Sequence, residues 1–350
     1  MTSDIHIRKE GRAGRITLTR PRALNALTYE MCTAIEAALD AWRADPEVAL
    51  VLIDAEGDRA FCAGGDIQQL YDTGRAGDFA YGRRFWADEY RLNAKIARYP
   101  KPYVALMQGF VMGGGVGVSC HGSHRVVCES TQIAMPECGI GLVPDVGGSL
   151  LLARAPGRLG EYLGTTGARM GPEDAIMAGF ADSYVPMLNW PDLIVQLVES
   201  GATDAIAQMS EPAPQGGLSV LRQRIDAHFG GETLADILRS LRSEESDFAR
   251  DTLKVLGRNS PLSMACTVEM IHRLRGPSAT IERALGLEYR FTWRAQEQGD
   301  FLEGIRAAII DKDRKPQWKH ELDNLPGHAV SQMLMPLGAE ALKLEEEAET

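Results

Sequence analysis

Alternating apolar and polar residues open the chain and predict two short strands. The alternation includes Ile5 and Ile7, then Ile16 and Leu18, and the turn-forming residues Gly11–Gly14 lie between the two runs. An alternation of this kind, interrupted by glycine, is typical of a β-hairpin. We therefore expect the fold to begin with two paired strands.

Helix-like and strand-like segments then alternate as far as Val185. Thr28 is placed to cap a helix whose apolar residues recur at helical spacing. Val48–Ile53 is a short, continuous apolar run, typical of a strand buried in a parallel sheet. A helical pattern over 79–98 and a strand-like run over 103–107 continue the alternation. This order predicts an α/β layered core with crossover connections.

The pattern changes after residue 210. Residues 211–217 have the most linker-like composition in the chain, and only helical patterns follow them. These patterns cover residues 218–228, 234–241, 248–256, 262–274, 281–296 and 304–310. We predict a core over residues 1–210, an all-helical region over 211–325 that packs on this core, and a polar tail without fixed structure over 326–350.

Composition narrows the classes of function. A hydrophobic content of 45% over 350 residues is enough for a sizeable core, and a net charge of -11 argues against a nucleic-acid-binding surface. The six cysteines show no CxxC spacing, and no apolar run reaches membrane-spanning length. We therefore expect a cytoplasmic protein with free thiols, no targeting segment, and neither a nucleic-acid nor a membrane partner.

The strongest chemical signals lie between Gln108 and Gly148. The triplet Gly113–Gly115 follows a strand-like run and precedes a short apolar segment, so its N–H groups have no side chains to keep a ligand away. Glu137 follows a short strand-like run, and Asp145 lies in a turn that opens a predicted helix. N–H donors so close in sequence to two acids suggest charge-developing chemistry at a carbonyl group.

A second glycine loop, Gly64–Gly65, has the same context, because it also lies between a strand and a helix. Two such loops can each direct an N–H group at one oxygen and form an oxyanion hole, where losing one donor typically costs about 3 kcal/mol. Alternatively, the glycines only permit tight turns and close helix packing, and the glycines alone leave both interpretations open. A dinucleotide site is not predicted, because Gly113–Gly117 lacks the GxGxxG spacing.

Glu137 and Asp145 are the main candidates for acid–base chemistry. Glu137 lies between apolar runs, where partial burial would raise its pKa towards neutrality. Three alternatives stay open: Glu137 as a solvated loop acid, Asp145 as a helix cap, and Glu89 as a solvated residue or ion-pair partner. No metal site is predicted, because His121 and His124 have no Cys or carboxylate at ligand spacing.

Several motifs, in this order, resemble those of the crotonase, or enoyl-CoA hydratase/isomerase, superfamily. They are RPRALNAL at 20–27, AFCAGGDI at 60–67, MGGGVG at 112–117, MPE at 135–137 and PDVGG at 144–148. In the helical half, NSP at 259–261, LEYR at 287–290 and the run at 300–318 are similar to the branch that hydrolyses 3-hydroxyisobutyryl-CoA. The resemblance therefore extends over nearly the whole chain, and five motifs in register are far more specific than one glycine motif.

The resemblance implies a crotonase-like ββα spiral core that binds acyl-CoA and carries the catalytic residues, followed by an all-helical C-terminal region. It implies that the N–H groups of Gly65 and Gly114 hold the thioester oxygen. It also implies that Glu89, Glu137 and Asp145 line the acyl pocket.

One position departs from the hydratase pattern. Hydratases carry a glutamate on the helix after the glycine triplet, and this chain has Gly117 there. Addition of water by two glutamates is therefore disfavoured, and the resemblance implies hydrolysis of a short branched 3-hydroxyacyl-CoA. Glu137 would activate water or attack the thioester directly, Asp145 would orient the reacting groups, and Glu89 would bind the 3-hydroxyl.

Two other functions stay open: a crotonase-type lyase or isomerase that leaves CoA esterified, and a non-catalytic acyl-CoA-binding protein. CoA enters as part of the substrate, and no metal or redox cofactor is expected. The superfamily often forms trimers or hexamers, but the helical half could cover that interface, so a homo-oligomer is left open. The remaining substrate contacts are expected from Arg22, Ala23, Ala63, Asp66 and Ile67.

Overall fold

The computed structural model describes residues 4–344, which form two compact units. The first unit contains the chain up to Gly65, Leu92–Ala134 and Arg169–Ser219. The second unit contains Asp66–Arg91, Met135–Ala168 and the chain from Val220 onward. This division differs from the predicted boundary after residue 210, because two segments of the predicted core group with the C-terminal helices.

All strands among the described residues belong to the first unit. They are β1 (Ile5–Glu10), β2 (Ala13–Leu18), β3 (Leu50–Ala55), β4 (Ala60–Cys62), β5 (Tyr103–Met107), β6 (Phe110–Met112), β7 (His124–Val127), β8 (Gln132–Ala134) and β9 (Ser183–Tyr184). One sheet has the order β1-β2-β3-β5-β7-β9, and the other has the order β4-β6-β8. The β1–β2 hairpin is antiparallel, as predicted, and the other pairs are parallel.

The strands wind between the two sheets in pairs. Each of three successive pairs contributes one strand to each sheet. The pairs are β3 with β4, β5 with β6 and β7 with β8. Helices follow the paired strands, so the chain describes the predicted ββα spiral. The long sheet is well buried: all five residues of β5 are inaccessible, which explains their unbroken apolar sequence.

Sixteen α-helices occur in the described part of the chain. They are α1 (Tyr29–Arg43), α2 (Gln68–Arg75), α3 (Phe79–Ala97), α4 (Gly114–Ser119), α5 (Gly148–Arg154), α6 (Leu159–Thr166), α7 (Pro172–Met177), α8 (Trp190–Ser200), α9 (Asp204–Met209), α10 (Leu218–His228), α11 (Leu234–Arg242), α12 (Asp247–Leu256), α13 (Pro261–Leu274), α14 (Ile281–Ala295), α15 (Phe301–Ile305) and α16 (Gly327–Met333). The Thr28 hydroxyl caps α1 by accepting from the N–H of Met31 at 3.2 Å, as predicted.

The C-terminal half is helical, as predicted, but its end differs from the prediction. Helix α15 continues as a π-helical turn over Arg306–Ile310. Helix α16 lies within the predicted polar tail, where Ala329 and Met333 are buried and α16 packs on α13. Part of that tail is therefore ordered, and the predicted tail residues 345–350 lie outside the described residues.

Two further observations concern the whole described chain. All six cysteines are buried, and none of them is part of a disulfide. None of the described helices combines the length and the apolar character needed to cross a bilayer.

Candidate active site

The first glycine loop lies in the first unit, between β4 and the start of the second unit. Gly64 has a φ of +123°, a conformation that favours glycine, so the tight-turn interpretation explains this residue. Gly65 is different, because a Cβ added there would meet no atom within 4 Å. Packing within the protein therefore does not require glycine at position 65, and the space beside its backbone is open.

The second glycine loop joins β6 to α4, also in the first unit. Gly113 has a φ of +48° and is the N-cap of α4, and Gly114 is the first residue of that helix. Because the first N–H groups of a helix have no acceptor within it, the Gly114 N–H is available as a donor. A Cβ on Gly115 would lie 2.3 Å from the carbonyl oxygen of Cys62, so this glycine is needed for close packing.

The predicted CoA-binding entry loop is bonded to the first glycine loop. The N–H of Leu27 donates to the carbonyl of Gly64 at 2.9 Å, and Ala63 donates to Leu24 at 3.0 Å. Arg22 and Ala23 lie in the exposed 3₁₀ turn Pro21–Ala23. Their exposure leaves the Arg22 guanidinium free to meet a ligand.

Four carboxyl groups are buried close together in the second unit, and we refer to them as the acid cluster. They are Glu89 on α3, Glu137 at the start of a 3₁₀ helix, Asp145 in the turn before α5, and Glu288 on α14. Their side chains are between 0% and 5% exposed. Glu89 is therefore not a solvated residue, and that alternative interpretation is wrong.

Asp145 is held by a tyrosine rather than by a cation. The hydroxyl of Tyr90 donates to Asp145 Oδ2 at 2.7 Å. Burial raises the pKa of Asp145 to about 7, although the Tyr90 hydrogen bond opposes this rise. The helix-cap interpretation of Asp145 is wrong, because the N-cap of α5 is Gly147.

Glu137 has an unsatisfied carboxyl oxygen. Its Oε2 is buried and forms no hydrogen bond to any residue that the structure describes. Burial, followed by the charge of Asp145, raises the pKa of Glu137 well above its usual value. Burial and Asp145 also raise the pKa of Glu89. A buried acceptor without a partner and with a raised pKa is the arrangement expected of a general base or nucleophile.

Tyr90 and Glu288 belong to the site, although no motif in the sequence indicates them. Glu288 is fully buried, and its pKa is raised to about 8, chiefly by that burial. One signal was available in the sequence: Glu288 lies on the apolar face of α14, four residues after Ala284 and four before Thr292, both of which are buried. A glutamate at such a position is rarely buried without a partner or a function.

The predicted site residues therefore fall into two groups. Glu89, Glu137 and Asp145 come together in the second unit, which also contains the partly buried Asp66 and Ile67. The first unit contains Gly65, Gly114, Arg22, Ala23 and Ala63. In the described residues, no three side chains of the His, Cys, Asp or Glu type are grouped to hold a metal ion.

Two solved structures resemble this chain over nearly its whole length. One is described as an enoyl-CoA hydratase from Rhodobacter sphaeroides, with 60% identity and a TM-score of 0.94 over 97% of this chain and 100% of that chain. The other is described as a carnitinyl-CoA dehydratase from Mycobacterium thermoresistibile, with 40% identity and a TM-score of 0.93 over 99% and 100% of the two chains. The fold is therefore shared along the full length, including the helical half.

Two curated relatives carry a hydrolase name. The 3-hydroxyisobutyryl-CoA hydrolase of Gallus gallus is 38% identical over 98% of this chain and 91% of its own length. Its counterpart in Xenopus laevis is 40% identical over 96% and 90% of the two chains. Both are named as mitochondrial, which contradicts the expected cytoplasmic location.

A family model described as Enoyl-CoA hydratase/isomerase matches residues 13–334, which is most of the chain. This match agrees with the two-sheet spiral and with the order of the glycine and acid motifs. The chain belongs to the enoyl-CoA hydratase/isomerase family, the crotonase superfamily.

Proposed function

We propose that this chain hydrolyses 3-hydroxyisobutyryl-CoA to 3-hydroxyisobutyrate and CoA, as in the breakdown of valine. The observation that carries the proposal is Glu137, a buried carboxylate with an unpaired oxygen and a raised pKa beside Asp145. The hydrolase names of the curated relatives support the same reaction and the same substrate. Helix α4 has the sequence GGVGVS, so it lacks the second glutamate that a hydratase carries on this helix.

In the proposed reaction, Glu137 removes a proton from water, whose oxygen attacks the thioester carbon. The N–H groups of Gly65 and Gly114 hold the oxyanion of the tetrahedral intermediate. The carbon–sulfur bond then breaks, and the leaving CoA sulfur receives the proton from Glu137. In a second version, Glu137 attacks the carbon directly, and the carbon–sulfur bond breaks to give an anhydride and the CoA thiolate. Water then hydrolyses the anhydride to give the product acid and the Glu137 carboxylate, and the thiolate takes up the released proton.

The other predicted residues have supporting roles in this proposal. Asp145 orients Glu137, the water or the substrate hydroxyl, and Glu89 binds the 3-hydroxyl group. The entry-loop residues and the segment 63–67 contact CoA, which takes part only as the substrate's own group. The reaction as proposed uses protein groups and water, without a metal or redox cofactor, and assembly into a homo-oligomer stays a prediction.

Hydration of an enoyl-CoA is the second candidate, because a structure with 60% identity is described as an enoyl-CoA hydratase. The two reactions differ in whether CoA is released. The test supplies 3-hydroxyisobutyryl-CoA and crotonyl-CoA separately and measures both free thiol and consumption of the double bond. We expect thiol release from the first substrate and no hydration of the second.

The absence of thiol release from 3-hydroxyisobutyryl-CoA would refute the hydrolase proposal, and hydration of crotonyl-CoA would then support the hydratase. If neither reaction occurs while CoA still binds, the chain is a non-catalytic acyl-CoA-binding protein. Single turnover in ¹⁸O-labelled water separates the two versions of the mechanism. Label in the Glu137 carboxylate is expected only if an anhydride forms.

A further inference from the structure

The turn that follows Asp145 has an unusual backbone. Val146 has a φ of +53° and Gly147 has a φ of +80°, so two consecutive residues adopt the left-handed conformation. A β-branched residue rarely adopts this conformation, and such strain persists only where surrounding contacts hold it. The carboxylate of Asp145 is thus attached to a strained turn, and some contact must fix that turn.

Glu288 supplies three such contacts. Its Oε2 accepts a hydrogen bond from the N–H of Gly147 at 2.8 Å, and its Oε1 accepts one from the N–H of Ser149 at 3.1 Å. The hydroxyl of Ser149 also bonds to Oε1. Both carboxyl oxygens of Glu288 therefore bind the backbone just after Asp145, so the side chain holds two N–H groups of the turn at once.

A simpler interpretation is that Glu288 only caps α5. A neutral side chain could accept an N–H hydrogen bond there at a lower desolvation cost, because Glu288 is fully buried. The charge of Glu288 also raises the pKa of Glu137, and that of Asp145 raises the pKa of Glu288. A fully buried acid beside two other acids is an unusual cap for a helix, and its position next to Glu137 and Asp145 suggests a part in the reaction.

We propose that Glu288 is a positioning residue, which fixes the strained turn at Val146 and Gly147 and thereby sets the position of the Asp145 carboxylate. This inference rests on the proposed hydrolase function, in which Asp145 orients the reacting groups. Glu288 acts through Asp145 and does not itself touch the substrate. It recognises no new ligand, and its effect is on the rate of the chemical step.

The test compares Glu288→Gln with the parent chain. A glutamine places an NH₂ group against one of the two backbone N–H groups, so one hydrogen bond is lost while the side-chain volume is kept. We expect kcat to fall by about 10- to 100-fold, the range typical of a misplaced catalytic group, with KM changed less than about threefold. We also expect faster amide hydrogen exchange at Gly147 and Ser149.

Glu161→Gln is the matched control, because Glu161 is equally buried in the same unit but lies on α6 and binds cations. This control should lower stability without changing kcat per folded molecule or exchange in the 144–149 turn. Ser149→Ala is a second, milder variant that removes only the hydroxyl contact. It should fold even if Glu288→Gln does not, and it should lower kcat by about two- to fivefold.

The outcomes separate the inference from the function on which it rests. If Glu288→Gln keeps kcat within twofold of the parent, or loses activity only in proportion to its folded fraction, the positioning role is overturned. Failure of the parent to release CoA refutes the proposed function instead. Amide exchange still tests in that case whether Glu288 fixes the turn. Unchanged exchange at Gly147 and Ser149 in both variants would show that it does not.

Discussion

Glu161 and Glu288 are both completely buried in the second unit, but their pKa values are shifted in opposite directions. Glu161 is 0% exposed, and it accepts hydrogen bonds from Arg158 at 3.0 Å, His272 at 3.1 Å and Arg275 at 2.6 Å. Burial alone would raise the pKa of Glu161, but these partners together outweigh it and lower the pKa. Glu288 is buried to the same extent, and burial among other acids raises its pKa.

The comparison shows that burial by itself does not distinguish a structural carboxylate from a reactive one. The positive partners of Glu161 compensate its charge and lower its pKa, so its ionised form stabilises the fold. The acid cluster forms no salt bridge with a cation in the described residues, and one oxygen of Glu137 has no partner. Uncompensated burial raises the pKa of these carboxyl groups, and a raised pKa favours a glutamate that acts as a general base.

The largest expected effect comes from removing the reactive carboxylate. Glu137→Gln should lower kcat for thiol release by at least about 10³-fold, because the amide can neither accept a proton nor attack the thioester. CoA binding, measured by calorimetry, should change little. Glu161→Gln should keep kcat per folded molecule within about twofold, and similar losses in both variants would remove the distinction between the two sites.

Stability should depend more on Glu161 than on Glu137, which is the opposite of the order expected for kcat. Glu161→Gln should lower the free energy of unfolding by about 2 kcal/mol, since it leaves the charges of Arg275 and Arg158 without their carboxylate partner. The partial exposure of these arginines keeps the loss below that of a fully buried pair. Urea denaturation followed by circular dichroism measures the change. A loss below 0.5 kcal/mol, a threshold typical of surface substitutions, would mean that the ion pairs contribute little.

The pH dependence of stability should also distinguish the acid cluster from the Glu161 site. The pKa of Asp145 is raised to about 7 in the folded chain, from about 4 when unfolded, so the folded state holds its proton longer. The contribution of Asp145 to stability is therefore highest below about pH 4 and falls as the pH rises towards 7. Asp145→Asn removes this contribution, and relative to the parent it should gain about 2 kcal/mol of stability between pH 5 and pH 8. A difference that does not change over this range would contradict the raised pKa.

The lowered pKa of Glu161 predicts that it affects stability over a different pH range. Its contribution to stability is present above the unfolded pKa near 4.5 and is lost only as the pH falls through the lower folded value. Glu161→Gln should therefore change stability by the same amount at pH 5.5 and at pH 8. This variant is the matched control for Asp145→Asn, and both can be measured in the same urea titrations.

A smaller effect than that of Glu137→Gln is expected at Tyr90. Tyr90→Phe removes the hydrogen bond to Asp145, so kcat should fall by about tenfold, as is typical for a bond to a charged group. Because that bond lowers the pKa of Asp145, its loss should also move the acid limb of the kcat profile to higher pH. Tyr289→Phe removes a hydroxyl that donates to the Arg83 carbonyl, and it should leave kcat and the profile unchanged.

The sequence predicted the spiral core, the helical half and three of the four acids, because each depends on local patterns or on contiguous motifs. Glu137 and Asp145 were recognisable from the short runs around them. Glu288 was not, since Glu288 and Gly147 are 141 residues apart and only the fold brings them together. The burial of Glu89 and the grouping of residues 66–91 with the C-terminal helices depend in the same way on contacts between distant segments.

The six buried cysteines have a practical consequence for all of these measurements. A thiol reagent that follows CoA release should not react with the folded chain, because every cysteine is inaccessible and burial raises the pKa of Cys138 to about 12. An unfolded chain would expose all six sulfur atoms and react at once. One reagent can therefore count product and unfolded protein in the same sample, which distinguishes a variant that has lost chemistry from one that has lost its fold.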